Sequence, residues 1–427
     1  MISVFSPMHG GHNQYVMDAY SGLASQTDND WEWVIAPHDG AVLPPAITSD
    51  SRVKVFPYEG GVNDEDGIPR IGMLKRYCCE RTRGDILVEL DTDDILTSDC
   101  LHDVRHAVKR GAGFVYSNSA QFIDGSWLPR FYSEAFGWRH RPYRHEGLSL
   151  HVTLQENIAW PPIPQSMRLI MWAPNHVRAW SKDCYWRVGG HDPKVSQGDD
   201  HHLVTRTYCD TGTKGMEHID KCLYLYRERP GENTCKVYVD HIQRRSWNNY
   251  HEFFPAMMRK WCDEYGLRSV ELGAHQPTSP WQEAVDLHGG TIRADLTERW
   301  PFEDGEVGMI RAWHLFEHLP DKLHTMSELH RVLAPGGWAT IEVPSTEGPG
   351  AWADPTHVSY WNEACFRYWT DKVKADFLSV EVPRFQQCFA RTYTPGWGET
   401  EKIQVTRVDL LALKPPYDER PVGEVLI

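Results

Sequence analysis

Short apolar runs alternate with amphipathic stretches through the first part of the chain. The runs are rich in β-branched and aromatic residues, as strands are, and the stretches between them have helical spacing. In chain order the segments read ISVFS, NQYVMDAYSGLASQ, WEWVIA, RVKVFP, RIGMLKRYCCERTRG and DILVELDTDD. Because runs such as ILVEL are largely apolar, helices are expected on both faces of the sheet. The pattern predicts an α/β fold with a mixed, mostly parallel sheet and flanking helices.

The pattern changes twice further along the chain. Residues 125 to 174 are irregular and crowded with Trp, Pro, His and Arg, as expected of an inserted or acceptor-facing region. A helical stretch, VDHIQRRSWNNYHEFFPAMMRKWCDEYG, then leads to a second α/β pattern that begins at RSVELGAH. A chain of 427 residues exceeds what one hydrophobic core usually holds. We predict a nucleotide-binding domain at 1–232, a helical linker at 233–265 and a second, Rossmann-like domain at 266–427.

Charge and composition narrow the function classes. A formal net charge of -15 opposes a broad grip on phosphate backbones, so nucleic acid is a disfavoured partner. No segment is long and apolar enough to span a bilayer, and MISVFS is too short for a signal peptide. The ten cysteines form no C-x-x-C pair and are expected to be reduced thiols. We therefore expect a cytoplasmic protein.

Carboxylates crowd the end of one buried strand. Asp91, Asp93 and Asp94 close the apolar run in LVELDTDDIL. Alternate residues of a strand point to the same side, so Asp91 and Asp93 can share a hard divalent cation. The same letters suit a structural role, because DDILTSDC can begin a helix with an acidic first turn. The pattern alone leaves both interpretations open.

Neighbouring motifs favour the cation. The first strand ends in SPMHGGH, the second in VIAPHDGA, and a later segment reads YWRVGGHDPKVSQGDDHHL. With the D-x-D pattern, these motifs make residues 1 to 230 resemble the inverting glycosyltransferases of family 2, which have the GT-A fold. The resemblance implies transfer of a sugar from a nucleotide-diphosphate donor, with UDP as the expected nucleotide and Mn²⁺ or Mg²⁺ as the metal ion.

The resemblance also implies roles for single residues on the donor side. Pro7 and His9 belong to the nucleotide loop after the first strand, and Asp39 reads the base at the end of the second. Asp93 coordinates the metal ion directly. Asp91 holds the ribose or a metal-bound water. The metal ion stabilises the departing diphosphate, which gains negative charge in the transition state.

Motifs later in the chain match the family's residues for binding and activating the acceptor. Gly190 belongs to the family's "GG-aromatic-D" loop, here with His191 replacing the usual aromatic residue. DDHHL matches the family's E-D-x-x-L motif, so that Asp199 stands for the Glu and Asp200 for the catalytic Asp. Asp200 is therefore the expected general base for the acceptor proton. Burial and Asp199 are expected to raise its pKa, and a bound cation to oppose that rise.

Three further side chains are ambiguous. Lys75 and Arg76 are expected either to pair with donor phosphates or to face solvent. His202 can complete the metal site, although consecutive helical residues point about 100° apart, so only one of His201 and His202 can face it. LKRYCCE replaces the family's usual ARN-x-G helix. The choice of donor is thus left open.

Residues 268 to 370 resemble the class I S-adenosylmethionine-dependent methyltransferases. The matching segments are VELGAH, AVDL, ADLTERWPFEDGEVGMIRAWHLFEHL, ELHRVLAPGGW and DPTHVSYWNEACF. The resemblance implies that Gly273 lets the backbone approach the methionine part of the cofactor, that Asp286 binds the ribose and that Asp295 meets the adenine amine. His275 replaces the second Gly of the family's turn, where its side chain would crowd the cofactor. An active methyltransferase and a domain kept for packing, dimer contacts or acceptor docking both remain open.

HLFEHL also permits a metal interpretation. His314, Glu317 and His318 are spaced to share one face of a helix, as zinc ligands can. Beyond these three side chains the sequence shows no further ligand, and the methyltransferase resemblance interprets the segment as a helix that closes over the cofactor. A metal site here is the weaker of the two interpretations.

Three functions therefore compete: sugar transfer by the first domain, methyl transfer by the second, and a scaffold in which neither site turns over. A bifunctional enzyme that adds a sugar and then methylates it is a fourth arrangement. The expected acceptor is a glycan or a protein side chain. A homo-oligomer through the C-terminal domain is also expected.

Overall fold

The computed structural model describes residues 1–123, 138–143, 152–157, 162–169, 176–229 and 237–415. They form two compact units, Met1–Met257 and Met258–Ile427. The division lies inside one continuous helix, Val239–Tyr265. The predicted domain limits at 232 and 265 stay a prediction. Most of the predicted acceptor-facing region, 125 to 174, lies outside the described residues.

The described residues of the first unit form ten strands and, with the helix at its end, eight α-helices. The strands are β1 Ile2–His9, β2 Trp31–His38, β3 Val53–Val55, β4 Ile86–Glu89, β5 Ile95–Leu96, β6 Phe114–Ile123, β7 Trp138–Tyr143, β8 Val152–Asn157, β9 Arg178–Ser181 and β10 Met216–Glu228. The helices are α1 Val16–Ala24, α2 Pro45–Thr48, α3 Ile71–Cys79, α4 Cys100–Lys109, α5 Pro164–Leu169, α6 Lys182–Arg187, α7 Asp199–Thr211 and α8 Val239–Tyr265.

One mixed sheet organises this unit. Its order is β3-β2-β1-β4-β9-β6-β10-β5, with β8 beside β6 and β7 beside β8. Strands β1 to β4 are parallel where they pair, whereas β9 runs antiparallel to both neighbours. Strands β2 and β3 lie on one side of β1, and the next strand along the chain, β4, lies on its other side. Such a reversal leaves a crevice at the carboxyl ends of β1 and β4, where ligands bind in open α/β sheets.

Both faces of the sheet are buried, as the apolar runs predict. Val4 and Trp33 pack into a hydrophobic cluster on one face, whereas their neighbours Phe5 and Val34 pack into a separate cluster on the other. Successive strand residues point to opposite faces, so this division shows that covering elements lie on both sides.

The second unit has its own sheet. The strands are β11 Arg268–Leu272, β12 Glu283–Asp286, β13 Ile292–Arg293, β14 Val307–Trp313, β15 Leu333–Pro344, β16 Phe385–Tyr393 and β17 Val405–Ala412, and the helices are α9 Lys322–Val332, α10 Gly350–Ala353, α11 Glu363–Thr370 and α12 Lys372–Ala375. The order is β13-β12-β11-β14-β15-β17-β16, parallel from β13 to β15 and antiparallel at β17. Its switch point lies between β11 and β14.

The predicted fold class is confirmed: a mixed, mostly parallel sheet with flanking helices is followed by a second doubly wound sheet. Among the helices of the described residues, none has the length and apolarity needed to cross a membrane. The nine cysteines in the described part of the chain are free thiols, as expected.

Candidate functional site

The loops after β1 and β2 are tied together at the crevice. The Gly10 amide donates to the carbonyl of Asp39 at 3.2 Å, and Asn13 donates through Nδ2 to the Gly40 carbonyl at 3.2 Å. A Cβ on Gly10 would lie 2.8 Å from the Asp39 carbonyl oxygen, so the close approach needs glycine. The nucleotide loop and the base-reading loop of the prediction are therefore neighbours.

The predicted donor residues of these loops differ in exposure. Pro7 is partly buried within β1, opposite Ala36. Asp39 follows β2 in a left-handed turn with φ 45°; its side chain is 61% exposed, and its Oδ2 lies 3.1 Å from His38 Nδ1. His9 accepts from the Gly11 amide through Nδ1 at 3.1 Å. Burial and the adjacent His38 lower the pKa of His9, so its ring is neutral.

Asp94 is a structural member of the carboxylate cluster. It is buried and accepts hydrogen bonds from the Tyr224 hydroxyl and the Arg227 amide, both at 2.7 Å. Burial, with Asp93 and Asp91 nearby, raises its pKa well above the ordinary value. The alternative of a helix start is not seen, because the short strand β5 follows the cluster and α4 begins only at Cys100.

Asp93 lies in an ion pair. Its Oδ2 is 2.7 Å from Arg229 Nη2 and 3.6 Å from His12 Nε2. The His12 ring is neutral in this arrangement. Its Nε2 accepts from Arg229 Nη2 at 3.1 Å, so its Nδ1 carries the proton and donates to Thr92 Oγ1 at 2.8 Å. Burial lowers the pKa of His12 to about 3, which agrees with a neutral ring. Arg229 is thus the positive charge nearest Asp93 among these partners.

Asp91 is the less engaged carboxylate of the D-x-D pair. Its side chain is partly exposed, and no described residue forms a hydrogen bond with its carboxylate. Burial raises its pKa to about 7; Lys75 opposes the rise, and Glu89 and Asp93 add to it. A crowded, unbonded carboxylate of this kind fits a hard divalent cation, which would offset the repulsion. Asp91 thus lacks the close arginine partner that Asp93 has in Arg229.

Two carboxylates begin α7. Asp199 and Asp200 follow Gly198, which caps the helix with φ 73°, and the helix N-terminus favours negative charge. Asp199 Oδ2 lies 3.2 Å from Lys75 Nζ and 3.5 Å from His191 Nε2. Asp200 Oδ2 lies 2.8 Å from Arg178 Nη1. The helix thus presents one carboxylate to each of two buried cations.

A series of alternating charged side chains joins α7 to the carboxyl end of β4. Glu89, the last residue of β4 and only 1% exposed, lies 2.9 Å from Lys75 Nζ and 3.5 Å from Arg178 Nη1. The order is therefore Asp199, Lys75, Glu89, Arg178, Asp200, which we call the buried charge chain. Sequence reasoning missed Glu89 and Arg178. The Glu inside the apolar run ILVEL was the one available signal, because a buried charge needs a partner.

The pKa values of the two α7 carboxylates move apart. Burial raises the pKa of Asp199 to about 6, against the pull of Lys75. For Asp200, burial also acts to raise the pKa, but Arg178 and other positive neighbours outweigh it, and the pKa falls well below the ordinary value. The expected rise for Asp200 is therefore wrong, because the sequence did not show that Arg178 faces it.

Arg76 and Gly190 meet in the glycine loop. Gly189 and Gly190 have φ of 86° and 62°, and a Cβ on Gly190 would lie 2.6 Å from the Tyr185 ring. Arg76 donates to the carbonyls of Gly189 at 2.7 Å and His191 at 3.2 Å. The structure therefore places Arg76 as a brace of this loop, and it forms no contact with the carboxylates after β4.

His202 lies apart from the D-x-D carboxylates. Its ring packs against Phe253 at 5.6 Å, and burial lowers its pKa to about 4. Within the described ranges, Asp91, Asp93 and His202 do not gather into one set of ligand atoms. The structure brings together two of the three predicted metal ligands.

The second unit places its predicted cofactor residues around the switch point. Gly273 follows β11 with φ 74°, and a Cβ there would lie 3.0 Å from the Leu315 side chain. Asp286 accepts through Oδ1 from the amides of His288 at 2.8 Å and Gly289 at 2.9 Å. His275 Nδ1 lies 3.6 Å from the same oxygen. The carboxylate expected to bind ribose is thus bonded to its own loop, with the His275 ring beside it.

Asp295, the third predicted cofactor residue, follows β13. Its Oδ1 accepts from the amide of Thr297 at 2.9 Å and from its hydroxyl at 2.7 Å. The side chain is exposed, so it holds a local turn and remains open to solvent.

The predicted helix at HLFEHL is wrong. His314 follows β14 with φ 50°, and Phe316–His318 form a single 3₁₀ turn. His314 lies 3.6 Å from Glu317 Oε1 and 3.5 Å from Glu342 Oε1, and these two carboxylates raise its pKa to about 9. The three side chains therefore do not share a helical face.

Comparison with known proteins supports the second resemblance. Residues 250–385 match a family model described as a methyltransferase domain. No curated protein matches the chain.

The chain is also similar to crystal structures of S. aureus TarS. For TarS 1-349 in complex with UDP-GlcNAc the TM-score is 0.42 at 12% identity, covering 61% of this chain and 72% of that one. For the longer S. aureus TarS the TM-score is 0.40 at 11% identity. The matched region covers 61% of this chain but only 43% of that protein. Of the two predicted resemblances, the match at 250–385 confirms that the second unit contains a methyltransferase-like domain.

Proposed function

We propose that the first unit transfers a sugar from a nucleotide-diphosphate donor to a hydroxyl group of a glycan or protein acceptor. The observation that carries the proposal is the Asp91 carboxylate, partly exposed and without a hydrogen bond from the described residues, at the crevice between β1 and β4. Ligands of open α/β sheets bind at such a crevice. Arg229, 2.7 Å from Asp93, supplies positive charge at the same point.

The donor would lie across the ends of β1, β2 and β4. Asp39, exposed at the end of β2, is suited to accept hydrogen bonds from the base, while His9 and Arg229 are suited to donate to the diphosphate. Asp91 and Asp93 would hold Mn²⁺ or Mg²⁺, which stabilises the negative charge of the leaving diphosphate. By the sequence resemblance, the nucleotide is UDP.

Asp200 is the proposed base. The acceptor oxygen forms a bond to the anomeric carbon, the bond to the diphosphate breaks, and the acceptor proton passes to the Asp200 carboxylate. Arg178 keeps this carboxylate ionised and only weakly basic. A weak base suffices late in the reaction, because the attacking hydroxyl becomes strongly acidic as its oxygen bonds to the sugar. Single displacement of this kind inverts the anomeric centre.

Calorimetric titration tests the donor site. We expect UDP, or another nucleoside diphosphate of the panel UDP, GDP and ADP, to bind wild-type protein more tightly with Mn²⁺ than with EDTA. In Asp91→Asn, the affinity for the nucleoside diphosphate in the presence of Mn²⁺ should be about 10-fold or more lower than in wild type. In Asp99→Asn, which changes an exposed acid of the same unit, it should stay the same. Equal affinity for all three nucleotides with and without Mn²⁺ would refute the proposal.

Methyl transfer by the second unit is the second candidate. It rests on the match of residues 250–385 to a methyltransferase domain and on Gly273 at the switch point of the second sheet. S-adenosylmethionine is then the cofactor. Equilibrium dialysis should show micromolar binding that is unchanged in Asp91→Asn, and an absence of binding would leave this unit as a scaffold.

A further inference from the structure

Three side chains of metal-ligand chemistry converge in the second unit. Glu317 and His318 lie in the 3₁₀ turn after β14, and His357 lies in the loop after α10. One ligand atom from each lies within 4.8 Å of the other two. The backbone fixes the two segments to each other, since the amides of Val358 and Ser359 both donate to the Glu317 carbonyl at 2.9 Å.

The Glu317 carboxylate lacks the partners that its burial demands. The residue is only 2% exposed, and neither carboxylate oxygen has a hydrogen-bond partner among the described residues. The facing His314 is 3.6 Å from Oε1, beyond hydrogen-bond distance, and is shared with Glu342. A buried carboxylate is normally hydrogen-bonded, paired or bound to a metal ion. Glu317 therefore has His314 as a charge partner at 3.6 Å, but neither of its oxygens is hydrogen-bonded.

Both histidines present a free nitrogen. His318 Nδ1 lies 3.2 Å from the Thr356 carbonyl, and His357 Nδ1 lies 2.9 Å from the Ala351 carbonyl. Because a carbonyl only accepts hydrogen bonds, each Nδ1 carries the proton and each Nε2 keeps its lone pair. Metal-binding histidines are oriented in this way, with the second nitrogen held by a backbone carbonyl.

A fourth oxygen lies at the edge of the cluster. Asp354 Oδ2 is 3.9 Å from His357 Nε2, while its Oδ1 is held by the Thr356 amide at 2.8 Å and hydroxyl at 2.6 Å. Two imidazoles with carboxylate oxygens are a ligand set typical of Zn²⁺, which takes four ligands in a tetrahedral arrangement.

We propose that Glu317, His318 and His357 bind a divalent transition-metal ion of the zinc type, with Asp354 or water as fourth ligand. The ion links the turn after β14 to the loop after α10, at the carboxyl edge of the second sheet. The Glu317 carboxylate, which has no hydrogen bond of its own, gains a partner at bonding distance, and the loop 354–360 is held in place.

Zinc binding by the full chain tests the site. Protein freed of metal with a chelator is titrated with Zn²⁺ in the Asp91→Asn background, in which the donor site is weakened. We expect one Zn²⁺ per chain, with a higher Tm on binding. Co²⁺ should give the visible absorption of a tetrahedral site.

Three variants locate the ion. Glu317→Gln, His318→Gln and His357→Gln should each weaken Zn²⁺ binding about 10-fold or more, whereas His288→Gln, an exposed histidine of the same unit, should not. Circular dichroism checks that each variant folds. Absent Zn²⁺ binding in the parent, or equal binding by all folded variants, would overturn the proposal. Either result would leave the UDP and Mn²⁺ measurements on the first unit unaffected.

Discussion

Arg178 Nη1 lies 2.8 Å from Oδ2 of Asp200 and 3.5 Å from Oε1 of Glu89. One guanidinium group thus holds the proposed base and the buried end of β4 together. Burial alone would favour a protonated Asp200, and Arg178 reverses that preference. The pair therefore decides the protonation state at the proposed reaction centre.

The Arg178 pair predicts a characteristic pH dependence of sugar transfer. A carboxylate with a lowered pKa stays in its basic form above its ordinary pKa, so kcat at saturating donor should not fall through Asp200 between about pH 8 and pH 5. Arg178→Gln removes the largest influence that lowers the pKa, so burial should raise it against the weaker pull of His201 and Lys75, and an acid limb should appear in this range. Arg187→Gln removes an exposed arginine paired with Asp210 and should keep the wild-type profile. Identical limbs in wild type and Arg178→Gln would contradict the assignment.

Asp200→Asn separates catalysis from donor binding. The amide cannot take the acceptor proton, so kcat should fall by about 100-fold or more, while the affinity for UDP with Mn²⁺ should stay near wild type. Single-turnover rates and calorimetry on the same preparation measure the two quantities. If the affinity fell as far as the rate, Asp200 would be a donor ligand instead of a base.

Glu89→Gln should destabilise the protein strongly. Glu89 is buried between Lys75 and Arg178, and removing its charge leaves two buried cations without their shared partner. The free energy of unfolding should fall by about 3–5 kcal/mol, measured in urea with an unchanged m-value. Glu80→Gln, at the exposed C-terminal end of α3, should change it by less than about 1 kcal/mol. A small loss in Glu89→Gln would show that the buried charge chain is replaceable.

Gly190→Ala tests the glycine loop. The residue has φ 62°, and a Cβ would lie 2.6 Å from the Tyr185 ring, so alanine is both strained and crowded. We expect a loss of about 1–3 kcal/mol in unfolding free energy. Gly61→Ala, with open space around its Cβ, should stay within about 0.5 kcal/mol. Equal thermal stability of the two variants would show that the loop relaxes.

Local rules of sequence were enough to locate the candidate donor site. Asp39 and Asp91 follow apolar runs that form parallel strands, and the carboxyl ends of such strands meet at one edge. The positions of both residues at that edge are therefore predictable from the order of the segments alone. The glycine loop that contains Gly190 could likewise be predicted from its sequence motif.

Contacts between distant segments could not be predicted. Arg178 reaches Asp200 only because β9 inserts antiparallel beside β4, and no local pattern shows that pairing. For the same reason the sequence did not show that His357, in the loop after α10, lies close to Glu317 and His318. The error at HLFEHL arose because its spacing suits a helix, while the chain makes a single turn there.

His275→Gly tests the cofactor pocket of the second unit. The His275 ring lies 3.6 Å from Asp286 Oδ1, and its Nδ1 is only 2.3 Å from the place where a Cβ on Gly289 would lie. The ring therefore fills space beside the carboxylate expected to bind ribose. Glycine would vacate that space and let the backbone approach a ligand, so affinity for S-adenosylmethionine should rise about 10-fold in equilibrium dialysis. His288→Gln is the matched control and should bind as wild type does. Tight wild-type binding that falls in His275→Gly would instead make His275 a ligand of the cofactor.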